Sequence, residues 1–313
     1  LDRRIATREA YGEALAELGA ENPDIVVLDA DLSKSTKTEI FARRFPERFF
    51  NMGIAEQNML GTAAGLAAAG KIVFCSSFAI FAAGRAFEQV RNSIAYPALN
   101  VKIGASHGGI TVGEDGASHQ SIEDIALMRA LPNMTVLVPA DAVATRILVR
   151  AAAALEGPVY LRLGRMAVPV LYDGGASLVP GRAHVWREGR DLTFVATGLM
   201  VSVALEAAHL LEREGYRVGV MDVHTIKPLD VEALVRAARA TGAVVTLEEH
   251  TVIGGLGSAV AEALSEYHPV PVKRIGLPDT FGESGKPQEL LEKYGLTARH
   301  AVAAAKEILA RKG

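Results

Sequence analysis

The sequence contains one cysteine, Cys75, among 313 residues. A lone thiol closes no internal disulfide and provides no thiolate set for a metal. Such scarcity fits a reducing compartment, so a cytoplasmic protein is expected. Long hydrophobic runs are also missing. No stretch of 18 apolar residues is free of charged or turn residues, so no membrane-spanning helix is predicted. The opening LDRRIATREAYGEAL lacks the apolar core of a secretion signal. It also lacks an initiator Met, which leaves room for one residue or a whole domain upstream. There is no basic excess. Lys and Arg total 33 against 36 Asp and Glu, giving a formal net charge of −3 and no footprint for nucleic acid or an anionic membrane. What is present is apolar character at 50%, too much for a disordered chain. The length allows about two domains, each with its own core.

Short β-rich runs alternate with Ala- and Leu-rich stretches. IVVLD (25–29), KIVFCS (71–76), NVKIGA (100–105), TVLVPA (135–140) and VYLRL (159–163) are nearly continuous apolar segments. A parallel sheet covered on both faces requires such strands. Between them lie helical patterns. Tyr11, Leu15 and Leu18 recur at helical spacing, and Asp141 is placed to cap AVATRILVRAAAA. The alternation lapses from Met166 to Arg190, where Gly, Pro and Val suggest an extended crossover. It resumes with DLTFVAT, RVGVMDV, AVVTLEE and VKRIG, separated by helices and closed by one C-terminal helix. The expectation is α/β architecture: two doubly wound domains with mostly parallel sheets, over residues 1–175 and 186–313.

Several generic motifs fail on inspection. GASHG (104–108) fits a serine-hydrolase elbow, but the Gly-rich GGITVGEDG follows where a helix must start. GGLGSAV (254–260) puts Val260 where a dinucleotide loop needs its last glycine, and it lies late in the chain. GESGK (282–286) lacks the upstream glycine of a P-loop, since Thr280 stands there. No H-E-x-x-H occurs, and the eight histidines show no metal-ligand spacing.

Three segments are more informative. GIAEQNMLGTAAGLAAAG puts Glu56 at the start of an apolar helix, where a first-turn acid also gains from the helix dipole. SSFAIFAAGRAFEQVRNS places Phe78 and Phe81 three apart after a strand, positions that core packing alone could explain. HGGITVGEDGASHQ is a polar Gly-rich loop with Asp115 and His119, which local hydrogen bonds alone could stabilise. Together with ALPNMTVLVPAD, MDVHTIKPLD and EEHTVIGGLGSAVAEAL, these segments resemble the thiamine diphosphate enzymes of the transketolase family. The resemblance covers essentially the whole chain, but only the family's pyrimidine-binding and C-terminal domains.

The resemblance implies roles. Glu56 matches the carboxyl that meets N1′ of the aminopyrimidine and activates the cofactor by acid–base chemistry. Phe78 and Phe81 match the aromatic wall against that ring, while AAGRAF differs in spacing by about one residue, so the family's third aromatic has no counterpart at Gly84. Asp31 matches an acid near the cofactor, although DADL also reads as a turn at a strand end. Asp115 and His119 match residues that meet the donor ketose, with His119 suited to proton transfer. Arg8, Ser35, His107 and Arg165 match a sugar-phosphate pocket, for which the arginine fork is well shaped.

The family's diphosphate-binding motif, G-D-G followed by an Asn pair, does not occur; GEDG (113–116) contains no G-D-G. The expectation is therefore the C-terminal subunit of a split transketolase that transfers a two-carbon ketol unit between sugar phosphates. A separate N-terminal subunit would hold Mg²⁺ and the cofactor's diphosphate, and this chain would self-associate as a dimer within an α2β2 assembly. A fragment of a longer enzyme is the rival explanation of the missing motif. Competing functions are a deoxyxylulose-phosphate synthase-like protein, a 2-oxoacid dehydrogenase β subunit, a split transketolase for an unusual pentulose phosphate, or a cofactor-free dimerisation module.

Overall fold

A computed structural model describes residues 3–312. Among the described residues the first half builds a seven-stranded sheet. Across it the strands run Thr225–Lys227, Thr135–Leu137, Val159–Arg162, Val101–Ser106, Ile72–Phe78, Ile25–Asp29 and Phe49–Asn51. All neighbours are parallel except the first pair. The central strands are buried along their whole length, which explains their unbroken apolar sequence. Helices Thr7–Glu21 and Ala142–Ala154 pack together on one face, and Glu56–Ala68 covers the other.

The second half builds a five-stranded sheet in the order Val272–Leu277, Val244–Thr251, Leu192–Ala196, Val218–Asp222 and His184–Arg187, with only the last strand antiparallel. The mixed, mostly parallel α/β architecture is as expected from the alternation of strands and helices. One strand is shared in a way that the alternation hid. Thr225–Lys227 leaves the second half and pairs with Thr135–Leu137 at the edge of the first sheet. The crossover is also tied down. Ala167–Pro169 pairs with Arg4–Ala6, and Asp141, which caps its helix through Ala144 N, accepts from the backbone of Leu171 and Tyr172 as well. The expected single C-terminal helix is two, Pro287–Lys293 and Ala298–Ala310. Gly295, at φ +75°, ends the first of them.

No helix among the described residues is long and apolar enough to cross a membrane, and no group of three or more metal-ligating side chains occurs there.

Candidate active site

The C-terminal edge of the first sheet gathers most of the chemistry. The strand Phe49–Asn51 ends at Asn51, whose side chain binds both ways to Asp31: Asp31 N donates to Oδ1 at 3.1 Å, and Nδ2 donates to the Asp31 carboxylate at 2.9 Å. Gly53 N also donates to Asn51 Oδ1 at 3.0 Å. The turn then delivers Glu56 as the first residue of its helix, 1% exposed. Asp31 therefore braces the approach to Glu56 through Asn51. The strand-end turn belongs to Asp29, whose buried carboxylate accepts from Leu32 N, Thr36 and Thr38.

Glu56 accepts from two donors. Ser77 Oγ lies 3.4 Å from Oε1, and Arg85 Nη1 lies 2.8 Å from Oε2. The Arg85 guanidinium also covers the Phe81 ring, 4.5 Å from its centroid. Phe81 opens a π-helical turn, Phe81–Arg85, which holds more backbone per turn than an α-helix. Phe78 and Phe81 lie nearly parallel, 5.8 Å apart at 12°, and His119 presents its ring edge-on to both.

A cluster able to bind an anion adjoins this wall. His107 stacks on Phe78 at 3.7 Å, held in a left-handed backbone conformation at φ +60°. Arg8 Nη1 donates to the Ser35 carbonyl at 2.8 Å and lies 3.4 Å from His107 Nε2. Because Arg8 can only donate, His107 carries its proton on Nδ1, toward Ser106 Oγ at 2.9 Å. Burial first, then the charges of Arg8 and Arg165, push the His107 pKa down to about 3. His107 is thus a neutral hydrogen-bonding group, and the positive charge here belongs to the arginines. Burial, with Arg165 nearby, also lowers the Arg8 pKa. Arg165 Nη1 donates to Val112 O at 2.5 Å and to Asp115 Oδ2 at 3.2 Å, which joins two expected substrate residues directly. Ser35 takes part through its backbone carbonyl.

The loop bearing Asp115 and His119 is braced from the second half. Gln120 Nε2 donates to Glu283 O at 2.8 Å, and a side chain at Gly116, where φ is +76°, would collide with Ser284. GESGK, which failed as a P-loop, is thus the buttress of this loop. Thr111 N donates to Glu249 Oε1 at 2.7 Å. Burial raises Glu249 to about 7 against the opposing charge of Arg162. Beneath lies a buried ion pair, Arg162 Nε to Asp124 Oδ2 at 2.8 Å, which Tyr160 also donates to. GGLGSAV likewise binds no phosphate: Glu248 accepts from Leu256 N and Gly257 N at the start of that helix. In GASHG, a 3₁₀ turn at Ile110–Val112 replaces the helix that an elbow needs.

The structure brings the expected residues to one edge, together with Arg85, Ser77, Asn51 and Gln120, which the sequence reading did not single out. Only the altered spacing of AAGRAF signalled Arg85.

Known proteins resemble this chain along most of its length. Residues 3–170 match the transketolase pyrimidine-binding domain, and 181–301 match the transketolase C-terminal domain. A Methanocaldococcus jannaschii protein provisionally named as a transketolase C-terminal section is 52% identical over 92% of both chains. The 6-deoxy-6-sulfo-D-fructose transketolase subunit of a Clostridium species is 46% identical over 97% of this chain and 95% of its own. A solved structure described as a split gene transketolase, inactive beta4 tetramer, superposes with a TM-score of 0.91 at 62% identity, covering 99% of each chain. The chain belongs to the transketolase family, of which it carries the pyrimidine-binding and C-terminal domains.

Proposed function

We propose that this chain is the C-terminal subunit of a split transketolase. Together with a separate subunit that holds Mg²⁺ and the cofactor's diphosphate, it moves a two-carbon ketol unit from a ketose phosphate to an aldose phosphate. The observation that carries this reading is the adjacency of two unlike half-sites. A buried carboxylate with an aromatic wall adjoins a pair of arginines around His107, and His107 itself stacks on the wall. A site for an unphosphorylated 2-oxoacid would have no use for the second half.

The residues suit an aminopyrimidine. The Glu56 carboxylate and the Phe81 face now meet a flat, N–H-bearing guanidinium. A flat nitrogen heterocycle offers the same edge and face. Glu56 would hold the ring edge, and Phe78 and Phe81 would hold its faces. When bound, thiamine diphosphate supplies the carbon nucleophile and electron sink that side chains lack. Asp115 and His119 orient the ketose hydroxyls, and His119 is placed to move a proton there. Arg8 and Arg165 neutralise the phosphate, with His107 as a neutral partner. The inner assembly contact is a dimer of this chain, and the compartment is the cytoplasm.

A second donor class is favoured by the sulfo-fructose name of the Clostridium relative. A sulfonate presents a similar three-oxygen face to the same arginines.

The test is ketol transfer from xylulose 5-phosphate to ribose 5-phosphate with thiamine diphosphate and Mg²⁺. The chain is assayed alone and mixed with a candidate diphosphate-binding subunit. Turnover only in the mixture is expected. Turnover by the chain alone would overturn the split arrangement. Turnover in the mixture with 6-deoxy-6-sulfo-D-fructose alone would transfer the proposal to that donor, and with pyruvate alone would refute it.

A further inference from the structure

Arg85 has no role in the proposal above, yet it occupies the centre of the pyrimidine half-site. Its Nη1 lies 2.8 Å from Glu56 Oε2, and its guanidinium lies over Phe81 at 4.5 Å. The two contacts differ in character. Glu56 is fixed, at the first turn of a long helix and 1% exposed. Arg85 is 49% exposed and ends a short π-helical turn. Turns of that kind are frequent at functional sites. Gly84, next to Arg85, has open space beside it; a Cβ there would meet only Ile80 at 3.8 Å. One partner of this ion pair is anchored and the other can swing into solvent.

We propose that Arg85 is an internal plug of the pyrimidine pocket. In the cofactor-free chain its flat guanidinium takes the place of the heterocycle, with its N–H edge on Glu56 and its face on Phe81. Binding of a flat nitrogen heterocycle requires Arg85 to swing out. The plug also keeps the buried carboxylate partnered while the pocket lacks a ligand, which avoids the cost of an isolated buried charge. A cation over an aromatic face contributes as well, weakly enough to be displaced. The inference rests on reading this pocket as a pyrimidine site. It requires nothing of the diphosphate subunit or of turnover.

The test therefore uses the full chain alone and a probe that needs no second subunit: 4-amino-5-hydroxymethyl-2-methylpyrimidine, the free pyrimidine half of the cofactor. Its dissociation constant is measured by calorimetry or ligand-observed magnetic resonance. Arg85→Met is expected to bind the probe at least fivefold more tightly than the wild type. Equal, weaker or undetectable binding by the variant overturns the plug. Arg85→Lys keeps the charge but loses the flat fork, so at least a twofold gain is expected. This variant decides the matter if Arg85→Met does not fold, and no gain sinks the idea. Failure of ketol transfer in the mixed-subunit assay would instead refute the proposed activity. A tighter-binding Arg85→Met would leave the plug standing even then.

Discussion

Glu56 and Glu248 are both buried carboxylates at the start of a helix, one in each half of the chain. Glu248 reaches from the strand Val244–Thr251 and satisfies Leu256 N at 2.7 Å and Gly257 N at 2.8 Å. Both of its oxygens are committed to backbone that cannot leave. A Cβ on Gly255 would fall 2.1 Å from one of them, so no ligand can approach. Glu56 makes one long contact to Ser77 and one to a half-exposed arginine. Burial of an acid alone does not distinguish a reactive group from a structural one. What distinguishes them is whether the hydrogen-bond partner can be exchanged.

The comparison is tested most severely by making the same substitution at both sites. Glu56→Gln is expected to lower turnover of the assembled enzyme about a thousandfold or more, within the range for loss of an acid–base group. Its melting temperature should change little. Glu248→Gln should do the reverse. It leaves one buried N–H without an acceptor and costs about 1–3 kcal/mol, with turnover per folded molecule retained. Steady-state kinetics and thermal melts on both variants decide it. Near-normal turnover in Glu56→Gln, or loss of turnover in Glu248→Gln without destabilisation, would erase the distinction.

Two arginines extend the contrast. Arg8 contacts a carbonyl and a neutral imidazole, both of which an arriving phosphate can replace. Arg162 is locked to Asp124, Ser121 O and Glu249 O. Arg8→Met should raise KM for a phosphorylated donor roughly tenfold to a hundredfold, the worth of one charge-assisted hydrogen bond. KM for an unphosphorylated ketose should remain near the wild-type value. Arg162→Met should instead cost about 3–5 kcal/mol of stability by stranding Asp124. Equal effects of Arg8→Met on both donors would remove Arg8 from the phosphate pocket.

The same distinction explains what could be read without coordinates. Strands were legible because burial on both faces leaves an unbroken apolar run, as in Ile25–Asp29. The Asp141 cap was legible because capping is local. Glu56, Phe78 and Asp115 could be singled out only through motif resemblance, since their neighbours lie far away in sequence. Arg85 was not found, because its importance depends on a π turn that brings it back onto Glu56 and Phe81. Thr225–Lys227 was not assigned to the first sheet, because three residues carry no pattern that names a partner strand. The pairing of Asp31 with Asn51 was not legible either, because the two lie twenty residues apart and no local pattern joins them.

The smallest effect concerns the fixed acid and is seen in pH dependence. Burial raises Glu248 to about 7, even though two backbone N–H groups favour its ionised form. In the unfolded chain a glutamate titrates near 4.5. Between those values the folded state holds a proton that the unfolded state has released, so the Glu248 contribution to stability falls as pH rises. Glu248→Gln has no such proton. The stability of the wild type minus that of Glu248→Gln should therefore decrease by about 1 kcal/mol as pH is raised from about 5.5 to 6.5. His250, 3.7 Å from Glu248, stays neutral across that interval because burial lowers it to about 4. Other titrating groups cancel in the difference. Denaturant melts of both proteins at several pH values measure it. A flat difference would mean that the two backbone N–H groups outweigh burial and keep Glu248 ionised throughout. The structural acid would then be a permanent anion at the start of its helix, and the contrast with Glu56 would rest on partner exchange alone.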